Sequence, residues 1–574
     1  MSFYIQQVEQ LISQGRYLEA RNLAEECISN SGENNLRFKQ LYALALSKSG
    51  APEVAVDYLL PVYHQHPEDP ENAGILGGIY KELFKQNQDS KFAVLSRDTY
   101  AKNFEQTKNY YTGINAATMS AIAGKMQKGR EVAEQVIQLI DGSTGDFWEV
   151  ATLAEAKLLN KERTLAIELY FKCKQMAGTD WGKINSVYNQ LWLLNHYVPV
   201  PAEVMKVFGP PGVTAFVGHM IDHPEKPQPR FPASIEEHVR GELEYTIKSV
   251  NAKVGYCSLA CGADILFAEA MLEQGAELNI FLPFDKEDFI STSLVFAGEQ
   301  WVDRFHSIIN NKRVIYLTKD KYNGNDALFT LQSRVIFGAA ILRSKLLNSK
   351  VNLITVLSEM DMKTRTGGTR YTMQLWPYAD RVHNINPDKF VSLQQNPEVV
   401  AAEPVPVAEQ ATVKPDTIVS YLCFISFNEM PAASIHEAWQ QILADTIDLN
   451  LTVNGLSIAD GSLTASFNSS HSCIDFVSDL MHKYGFKDIK VSLHAGPAKV
   501  DLRGKYKSAS LEGTALEVVK EINGFAMPGR MVATDIFASV LALNLDLYQL
   551  THAGIVQLKV YDAKIGIYQV EKTG

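Results

Sequence analysis

The chain has 574 residues, more than one hydrophobic core ordinarily holds, so roughly three or four domains are expected. Hydrophobic residues make up 46% of it and charged residues 21%, an ordinary globular composition, and no apolar run approaches the roughly 18 residues that cross a bilayer. The net charge of −11 disfavours electrostatic binding to the phosphates of nucleic acid. With no apolar run long enough for a bilayer, neither a membrane nor a nucleic acid is expected as a partner.

Residues 1–203 have helical periodicity throughout and a recurring small-residue pattern. The stretch GRYLEARNLAEECI (15–28) is matched by GAPEVAVDYLLPVY (50–63), and KGREVAEQVIQLI (128–140) and KERTLAIELYFKC (161–173) echo it. The first interval, about 35 residues, is close to the period of tetratricopeptide repeats and predicts an N-terminal α-solenoid. Small residues in each pattern allow paired helices to approach closely: Ala20, Ala55, Ala133 and Ala166.

The stretch KNYYTGINAATMSAIAG (108–124) resembles the helical repeat segment of apoptosis signal-regulating kinases. The resemblance implies a concave surface that docks a peptide or a protein partner. The alternative is an arm that only dimerises or braces the other domains. Both remain open, because no aromatic or Arg cluster marks a groove in the sequence.

Residues 204–390 change to short apolar strands that alternate with helices. This order predicts a parallel sheet with helices on both faces, and ligands then bind at the carboxyl ends of the strands. Three loops fall at those ends: GHMID (218–222), SLACGAD (258–264) and TGGTRYT (366–372). Their glycines allow close backbone approach and the adjoining helices offer free N–H groups, so a phosphate-bearing ligand is predicted.

This arrangement resembles the SLOG group of Rossmann-like domains, which bind nucleotides or nucleotide-derived signals and are related to lysine-decarboxylase-like phosphoribohydrolases. The predicted ligand-binding residues are Gly218, His219, Asp222, Ser258, Gly262, Ala263, Asp264, Arg365, Gly367, Gly368, Thr369 and Arg370. The hydrolases carry a glutamate one helical turn after their Gly-Thr pair, where this chain has Gln374, so binding is favoured over hydrolysis.

Each of these residues also has an ordinary structural alternative. The glycines either admit a ligand or serve tight turns. His219 and Asp222 either orient a ribose or base or hydrogen-bond within the protein. Arg365 and Arg370 either neutralise a phosphate or are solvated loop charges.

Residues 391–416 form a linker rich in Pro, Ala and Val, with neither helix nor strand period. Its alternating prolines favour an extended, semi-stiff spacer. We therefore expect the C-terminal domain to change its orientation relative to the preceding domains.

Residues 417–574 read as strand, helix, hairpin, helix, strand, helix and closing strands. The hairpin is expected to turn at Asp460-Gly461, and DIKVSLHAGPAKV (488–500) predicts a strand that runs into a His-Ala-Gly-Pro turn. The phrases LHAGP, PGRMVATD and GIYQVE resemble a class III adenylate/guanylate cyclase domain. The resemblance implies an α+β, ferredoxin-like fold that pairs as a homo- or heterodimer.

The cyclase family also uses a two-metal site, and this sequence departs from it. Phe424 stands where the first metal-binding aspartate belongs, and Asp460 is the only candidate for the second. Glu517 and Glu521 stand where the family has a transition-state Asn and Arg, and two acids repel a triphosphate. We predict no catalytic residue and no metal, with Mg²⁺ needed only if the domain were active. A new metal site made from Asp460, Glu517 and Glu521 is the alternative.

The predicted architecture is multi-domain: a tetratricopeptide-like α-solenoid (1–203), a central α/β Rossmann-like, SLOG-like domain (204–390), a linker (391–416) and a C-terminal α+β class III cyclase fold (417–574). The six cysteines are scattered, and no second pair accompanies Cys257 and Cys261, so reduced thiols and a cytoplasmic location are expected.

The predicted function is intracellular nucleotide signalling. The SLOG-like domain would sense a nucleotide or nucleotide-derived ligand, with no other cofactor expected, and the cyclase-like domain would serve dimerisation or regulation. The helical repeats would dock a protein partner. The alternatives are a cyclase active only beside a partner chain, a SLOG-type nucleotide N-glycosidase, and a scaffold without any ligand.

Overall fold

The structure is a computed structural model. It describes residues 2–30, 35–140, 145–178, 180–223, 229–310, 312–358, 373–394, 417–427, 437, 439, 453–483, 489–502 and 509–573. The chain divides into two compact units, Met1–Pro210 with His552–Val556, and Pro211–Thr551 with Gln557–Gly574. Within the described ranges, no helix is both long and apolar enough to cross a membrane.

The first unit is built of antiparallel helix pairs. Its helices are α1 (Ser2–Ser13), α2 (Tyr17–Asn30), α3 (Leu36–Lys48), α4 (Pro52–Gln65), α5 (Pro70–Asn87), α6 (Ser90–Thr107), α7 (Tyr110–Ile122), α8 (Met126–Leu139), α9 (Phe147–Leu159), α10 (Arg163–Ala177), α11 (Trp181–Asn195) and α12 (Ala202–Phe208). The four alanines expected between paired helices are fully buried. This confirms the packing that the small-residue pattern predicts.

Helix starts in this unit follow a simple chemical rule. An Asn or Asp side chain accepts backbone N–H groups at the start of α3, α5, α7, α9 and α11, which satisfies donors that the first turn leaves unpaired. These odd-numbered helices also contact one another in order from α3 to α9 and so form one layer. The even-numbered helices pack behind them.

The second unit begins with a six-stranded parallel sheet. Its strands are β1 (Gly212–Gly218), β2 (Ala252–Cys257), β3 (Glu277–Leu282), β4 (Arg313–Tyr316), β5 (Val351–Val356) and β6 (Val382–Ile385). Their order is β4-β3-β2-β1-β5-β6. Strands β2, β3 and β4 follow on one side of β1, whereas β5 and β6 lie on its other side. The direction of chain progress across the sheet therefore reverses at β1, and open α/β sheets leave a crevice for a ligand at such a point.

Helices connect these strands and cover the sheet. They are α13 (Glu236–Ser249), α14 (Ala263–Glu273), α15 (Lys286–Ser293), α16 (Glu299–Ile309), α17 (Ala327–Leu346) and α18 (Asp388–Gln394). Helix α14 is apolar on nearly every side because it is buried along most of its length. The predicted parallel α/β sheet is confirmed.

A second sheet follows in the same unit. Its elements are β7 (Ile418–Phe427), β8 (Val453–Ala459), β9 (Ser462–Phe467), α19 (Ser470–Lys483), β10 (Ile489–Leu502), β11 (Ala509–Glu512), α20 (Thr514–Asn523), β12 (Met531–Thr534), α21 (Asp535–Leu541), β13 (Tyr548–Leu558) and β14 (Ala563–Lys572). The strand order is β13-β14-β12-β10-β7-β9-β8, with β11 paired to β10. The expected hairpin turns at Asp460 and Gly461, both with positive φ.

The predicted His-Ala-Gly-Pro turn is wrong. Strand β10 continues through His494 and Pro497 in unbroken antiparallel register with β7, where Pro497 faces Val419. Because antiparallel pairing alternates between hydrogen-bonded and unbonded positions, a proline without an N–H group fits at an unbonded one.

The two sheets of the second unit share one hydrophobic core. Val335 and Ile336 of α17 belong to the same buried cluster as Phe537 and Leu541 of α21. A Cβ atom added to Gly338 would lie 1.7 Å from the carbonyl oxygen of Ser539. The linker composition predicts a C-terminal domain that can change its orientation. The close packing of Gly338 on Ser539, within the shared apolar cluster, instead holds this domain against α17.

Candidate functional site

The loops after β1, β2 and β5 meet at the carboxyl edge of the parallel sheet. The His219 N–H donates to the Val356 carbonyl at 3.0 Å, and the Ala263 N–H donates to the His219 carbonyl at 3.1 Å. Met220 and Gly262 form an isolated antiparallel bridge. The structure therefore brings together the candidates on the first two loops: Gly218, His219, Ser258, Gly262, Ala263 and Asp264.

Two of the glycines are required by this crossing of loops. Gly262 has a φ of +95°, and an added Cβ would lie 2.4 Å from the Ile221 nitrogen. An added Cβ on Gly218 would lie 2.4 Å from the Cβ of Ala263. Backbone packing between the loops accounts for both glycines, so they do not by themselves indicate a ligand.

Asp264 is an acid at this edge whose pKa departs far from its ordinary value. It lies in the first turn of α14 with 7% of its surface exposed. Burial raises the pKa of its carboxyl to about 7, although hydrogen bonds from the Ala260 N–H, the Ser258 hydroxyl and the Gly218 N–H oppose that rise. The Ala260 nitrogen is 3.2 Å from Oδ2. A carboxyl with this pKa can accept or donate a hydrogen bond near neutral pH.

His219 is buried, and its ring joins the loop after β1 to Ser358, two residues past the end of β5. Its Nε2 accepts a hydrogen bond from the Ser358 N–H at 3.1 Å, which places the ring proton on Nδ1. Ser358 in turn donates its hydroxyl proton to Asp388 Oδ1 at 2.5 Å. The imidazole is thus held in one orientation at the end of β5.

Asp222 closes its own loop. Its Oδ2 accepts the backbone N–H groups of Arg230 and Phe231, each at 2.5 Å, and its own N–H donates to the Phe231 carbonyl at 2.8 Å. This is the structural alternative raised above. A role of Asp222 in orienting a ligand remains a prediction.

The third predicted loop lies outside the described residues. This applies to Arg365, Gly367, Gly368, Thr369 and Arg370, whose roles remain predictions. Strand β5 ends at Val356, and the described chain continues to Ser358 at the same sheet edge as His219 and Asp264. It resumes at Met373.

Gln332 of α17 is a site neighbour that the sequence analysis missed. It is 4% exposed, and its Nε2 donates to Ser258 Oγ at 2.9 Å and to the Phe281 carbonyl at 2.6 Å. The signal was available, because a lone amide in an apolar helical stripe beside Leu331 and Val335 needs a buried hydrogen-bond partner.

The residues predicted to stand at altered cyclase positions lie on the second sheet and on α20. Phe424 of β7 is half-buried and packs with Leu422, Ala515 and Val519 against α20. Asp460 is exposed at the β8–β9 turn. The phenylalanine ring therefore occupies space between sheet and helix and offers no oxygen to a metal ion.

The two glutamates of α20 differ in their surroundings. Glu517 is exposed. Glu521 accepts the Lys559 N–H at 2.7 Å and the Val560 N–H at 3.2 Å, which ties α20 to the turn between β13 and β14. Across the described ranges, no group of three His, Cys, Asp or Glu side chains stands close enough to hold a metal ion.

The repeat unit carries a separate polar cluster on its odd-numbered helices. Lys81 Nζ of α5 lies 2.5 Å from Gln190 Oε1 of α11 and 3.4 Å from Asn115 Oδ1 of α7. Glu155 of α9 accepts hydrogen bonds from Gln190 Nε2, at 2.5 Å, and from the Thr118 hydroxyl. Since α5 and α11 are separated by two other helices of the layer, this contact shows that the layer is strongly concave.

Desolvation perturbs both charges in the cluster. It lowers the pKa of Lys81 to about 8, a fall that Lys85 also favours, and it raises the pKa of Glu155. Tyr111 and Trp148 lie on the same helical faces as Asn115 and Glu155, and they are 49% and 46% exposed. The odd-numbered helices thus carry two exposed aromatic side chains, and a docking role for them remains a prediction.

Comparison with known proteins identifies the repeats. A family model described as Tetratricopeptide Repeats-Sensor matches residues 16–120. No curated protein matches the chain. A thermophilic tetratricopeptide-repeat protein of Thermus thermophilus is similar at 17% identity and a TM-score of 0.28, over 33% of this chain and 98% of that one.

Two cyclase structures are also similar. The guanylate cyclase domain of RhGC from Catenaria anguillulae, solved with GTP, is 14% identical with a TM-score of 0.23, over 28% of this chain and 99% of that one. The adenylyl cyclase CyaB from P. aeruginosa is 12% identical with a TM-score of 0.21, over 28% and 97%. The chain thus has tetratricopeptide repeats and a structural similarity to cyclase domains.

Proposed function

We propose that the chain is a nucleotide-signalling protein whose central α/β domain binds a nucleotide or nucleotide-derived ligand at the carboxyl edge of its parallel sheet. The observation that carries this proposal is the convergence of the loops after β1 and β2 with the end of β5, at the point where strand order reverses. Helix α14 begins there, and the first turn of a helix favours an anion such as phosphate.

Asp264 and Ser258 supply the chemistry for the uncharged part of such a ligand. Both are polar side chains at the end of β2, joined by a hydrogen bond. An ionised Asp264 accepts from a ribose hydroxyl, and a protonated one donates to a carbonyl or ring nitrogen. Because a phosphate repels an ionised carboxylate, binding close to Asp264 would favour its protonated form.

Thermal-shift measurement against ATP, GTP, CTP, UTP and NAD tests this proposal. A ligand that binds only the native state raises the melting temperature by an amount that grows logarithmically with the ratio of its concentration to Kd. We expect at least one of the five to do so with the wild-type chain, and Asp264→Asn to lose most of the shift. Asp303→Asn, an exposed acid on α16, is the matched control. No shift with any of the five would contradict the proposal.

We further propose that the C-terminal domain does not cyclise nucleotides and instead serves regulation or dimerisation. The ring of Phe424 packs against α20, and Glu521 is committed to two backbone amides. Neither residue supplies the metal ligand or the positive charge that a developing phosphate charge requires.

A product assay separates this proposal from the enzyme alternatives. The full chain is incubated with each of the four nucleoside triphosphates or NAD and with Mg²⁺ or Mn²⁺, and the products are identified by mass spectrometry. We expect neither cyclic nucleotide nor free base. A cyclic product from this chain alone would establish a cyclase, and release of a base would establish an N-glycosidase.

The aromatic and charged side chains of the repeat layer support a second function, docking of a protein partner. Tyr111 and Trp148 are exposed on α7 and α9, in the same helical layer as Lys81, and the Lys81 ammonium group has three N–H groups for its two amide partners. An extended peptide with a carboxylate next to an apolar side chain matches these groups.

Selection from a displayed peptide library tests the docking function. We expect enriched peptides to carry Asp or Glu beside an apolar residue, and to lose binding to Lys81→Ala and Tyr111→Ala. Leu139→Ala is the control, because Leu139 is similarly exposed but lies on the even-numbered helix α8. Enriched peptides that bind all three variants equally would place the docking surface elsewhere.

A further inference from the structure

We propose that helix α17 couples the ligand site at the sheet edge to the C-terminal domain, with Gln332 as the positioning residue. The ligand role of that edge rests on the proposed function above. The coupling is a property of the packing and can be tested without any ligand.

The first link is the buried amide of Gln332. Both of its N–H bonds are used, one on Ser258 Oγ and one on the Phe281 carbonyl. Ser258 also hydrogen-bonds the buried Asp264 carboxyl. Because a buried amide that loses its partners is costly, movement of Ser258 or a change at Asp264 must be matched by movement of α17.

The second link lies on the same helix, within two turns of Gln332. Gly338 contacts α21 so closely that a Cβ would stand 1.7 Å from the Ser539 carbonyl oxygen. At about 1.5 Å of rise per residue, Gln332 and Gly338 are about 9 Å apart along the helix axis. A helix moves almost as a rigid body over this length. Because Gly338 is already in close contact with Ser539, a displacement of α17 toward α21 is expected to move α21 as well.

The interface around α17 also contains an imperfectly satisfied group. Arg334 Nη1 donates to the Tyr421 hydroxyl at 3.2 Å, yet its Nε is buried with no hydrogen-bond partner within the described ranges. The hydrogen bond from Arg334 to Tyr421 therefore adds a polar contact between α17 and β7 to the apolar packing of the two sheets.

Another set of contacts holds the same two domains beside β4. Asp320 Oδ2 accepts the hydroxyl protons of Thr318, at 2.7 Å, and of Thr514 at the start of α20, at 2.5 Å. The Asn325 side chain donates to the Thr417 carbonyl at 3.1 Å. These hydrogen bonds hold Thr417 and the start of α20 beside the end of β4, a contact region separate from that of Gly338 and α21.

The test is reciprocal hydrogen–deuterium exchange on the full-length chain without ligand. Gln332→Met removes both donors at the sheet edge and is expected to speed exchange in 535–541 at least about fivefold, the lower end of ordinary coupling between sites. Gly338→Ala forces α21 away and is expected to speed exchange in 258–264 by a similar factor. Alanine favours the helix itself, so α17 should remain folded.

Controls separate coupling from a general loss of stability. Helix α13 (Glu236–Ser249) is the internal reference, since it contacts neither link, and Gln300→Met and Ser333→Ala are matched variants outside both contacts. A rise confined to the mutated side, or an equal rise in every segment including α13, would overturn the proposal.

Ligand binding then gives an independent readout. If one of the five nucleotides binds, Gly338→Ala is expected to change its Kd at least about fivefold, because coupling between two sites is reciprocal. Binding that is unaffected by Gly338→Ala would refute the coupling and leave the proposed function intact. Reciprocal changes in hydrogen exchange, together with no binding of any of the five nucleotides, would support the coupling and contradict the proposed function.

Discussion

Gly262 lies where the loops after β1 and β2 cross, with a φ of +95° and the Ile221 nitrogen 2.4 Å from the position of a Cβ. We expect Gly262→Ala to lower the free energy of unfolding by about 2–4 kcal/mol, combining left-handed backbone strain with steric displacement. Urea denaturation of the full chain measures this loss.

Gly275→Ala is the matched control for that substitution. Gly275 also has a positive φ, +66°, but nothing lies within 4 Å of an added Cβ. Its replacement should therefore cost only the backbone term, about 1 kcal/mol. Equal losses for the two variants would show that the loop crossing at Gly262 is looser than described.

Asp264 predicts a pH dependence with a definite sign. Its pKa is about 7 in the folded chain against an ordinary value of 3.8, so the folded chain binds this proton more tightly. The resulting stability is fully present below about pH 4 and is lost as pH rises through about 7. Relative to Asp264→Asn, the wild-type chain should lose about 2–3 kcal/mol between pH 5 and pH 8.

Urea denaturation of both proteins at the two pH values checks this prediction. The comparison with Asp264→Asn removes the contributions of all other titrating groups. Asp303→Asn should show no pH-dependent difference from the wild-type chain, because that acid is exposed. A difference between wild type and Asp264→Asn that does not change with pH would contradict the raised pKa.

Helix α20 carries two glutamates one turn apart that make a matched pair at the scale of elements. Glu521 receives two backbone N–H groups from the β13–β14 turn, whereas Glu517 is exposed. We expect Glu521→Ala to lower the free energy of unfolding by about 1 kcal/mol and Glu517→Ala to change it by less than about 0.5 kcal/mol. Glu517 lies in the first turn of α20 and Glu521 in its last, so the helix dipole favours Glu517 and disfavours Glu521. A larger loss for Glu521→Ala is therefore a lower bound on the turn contact. Equal losses of unfolding free energy in the two variants would contradict a stabilising contact between Glu521 and the β13–β14 turn.

Strand β10 shows how much of an element a sequence can predict. The alternation of Ile489, Val491 and Leu493 correctly predicts the strand. The His-Ala-Gly-Pro sequence wrongly predicts its end, because turn propensity is a local preference and ten consecutive pairs with β7 outweigh it. The Asp460-Gly461 turn was predictable because its positive φ values are a local requirement.

The whole second unit is expected to unfold as one body. Buried residues of α17 and α21 belong to one core, so neither sheet domain can lose its structure without exposing apolar surface of the other. Differential scanning calorimetry should therefore show one transition for residues 211–574, with equal calorimetric and van't Hoff enthalpies. Two transitions within this unit would restore the independent C-terminal domain that the linker composition suggests.

Some site residues were accessible to sequence reasoning and others were not. Gly218, Gly262 and Asp264 follow strands whose parallel order the pattern predicts, so their meeting at one edge was foreseeable. For Gln332 the apolar stripe of α17 predicts a buried hydrogen-bond partner, but only the packing of the helix on the sheet shows that this partner is Ser258. The same holds for the cluster of Lys81, Glu155 and Gln190, which depends on the curvature of the repeat layer.

The sequence by itself determined the helical repeats and the parallel sheet, because hydrophobic periodicity is a local property of the chain. Only the tertiary structure decided which polar groups are already committed, as Asp222 and Glu521 are, and that α17 joins two domains in one core. These depend on contacts between residues distant in the chain, whose free energy is set by burial and geometry together.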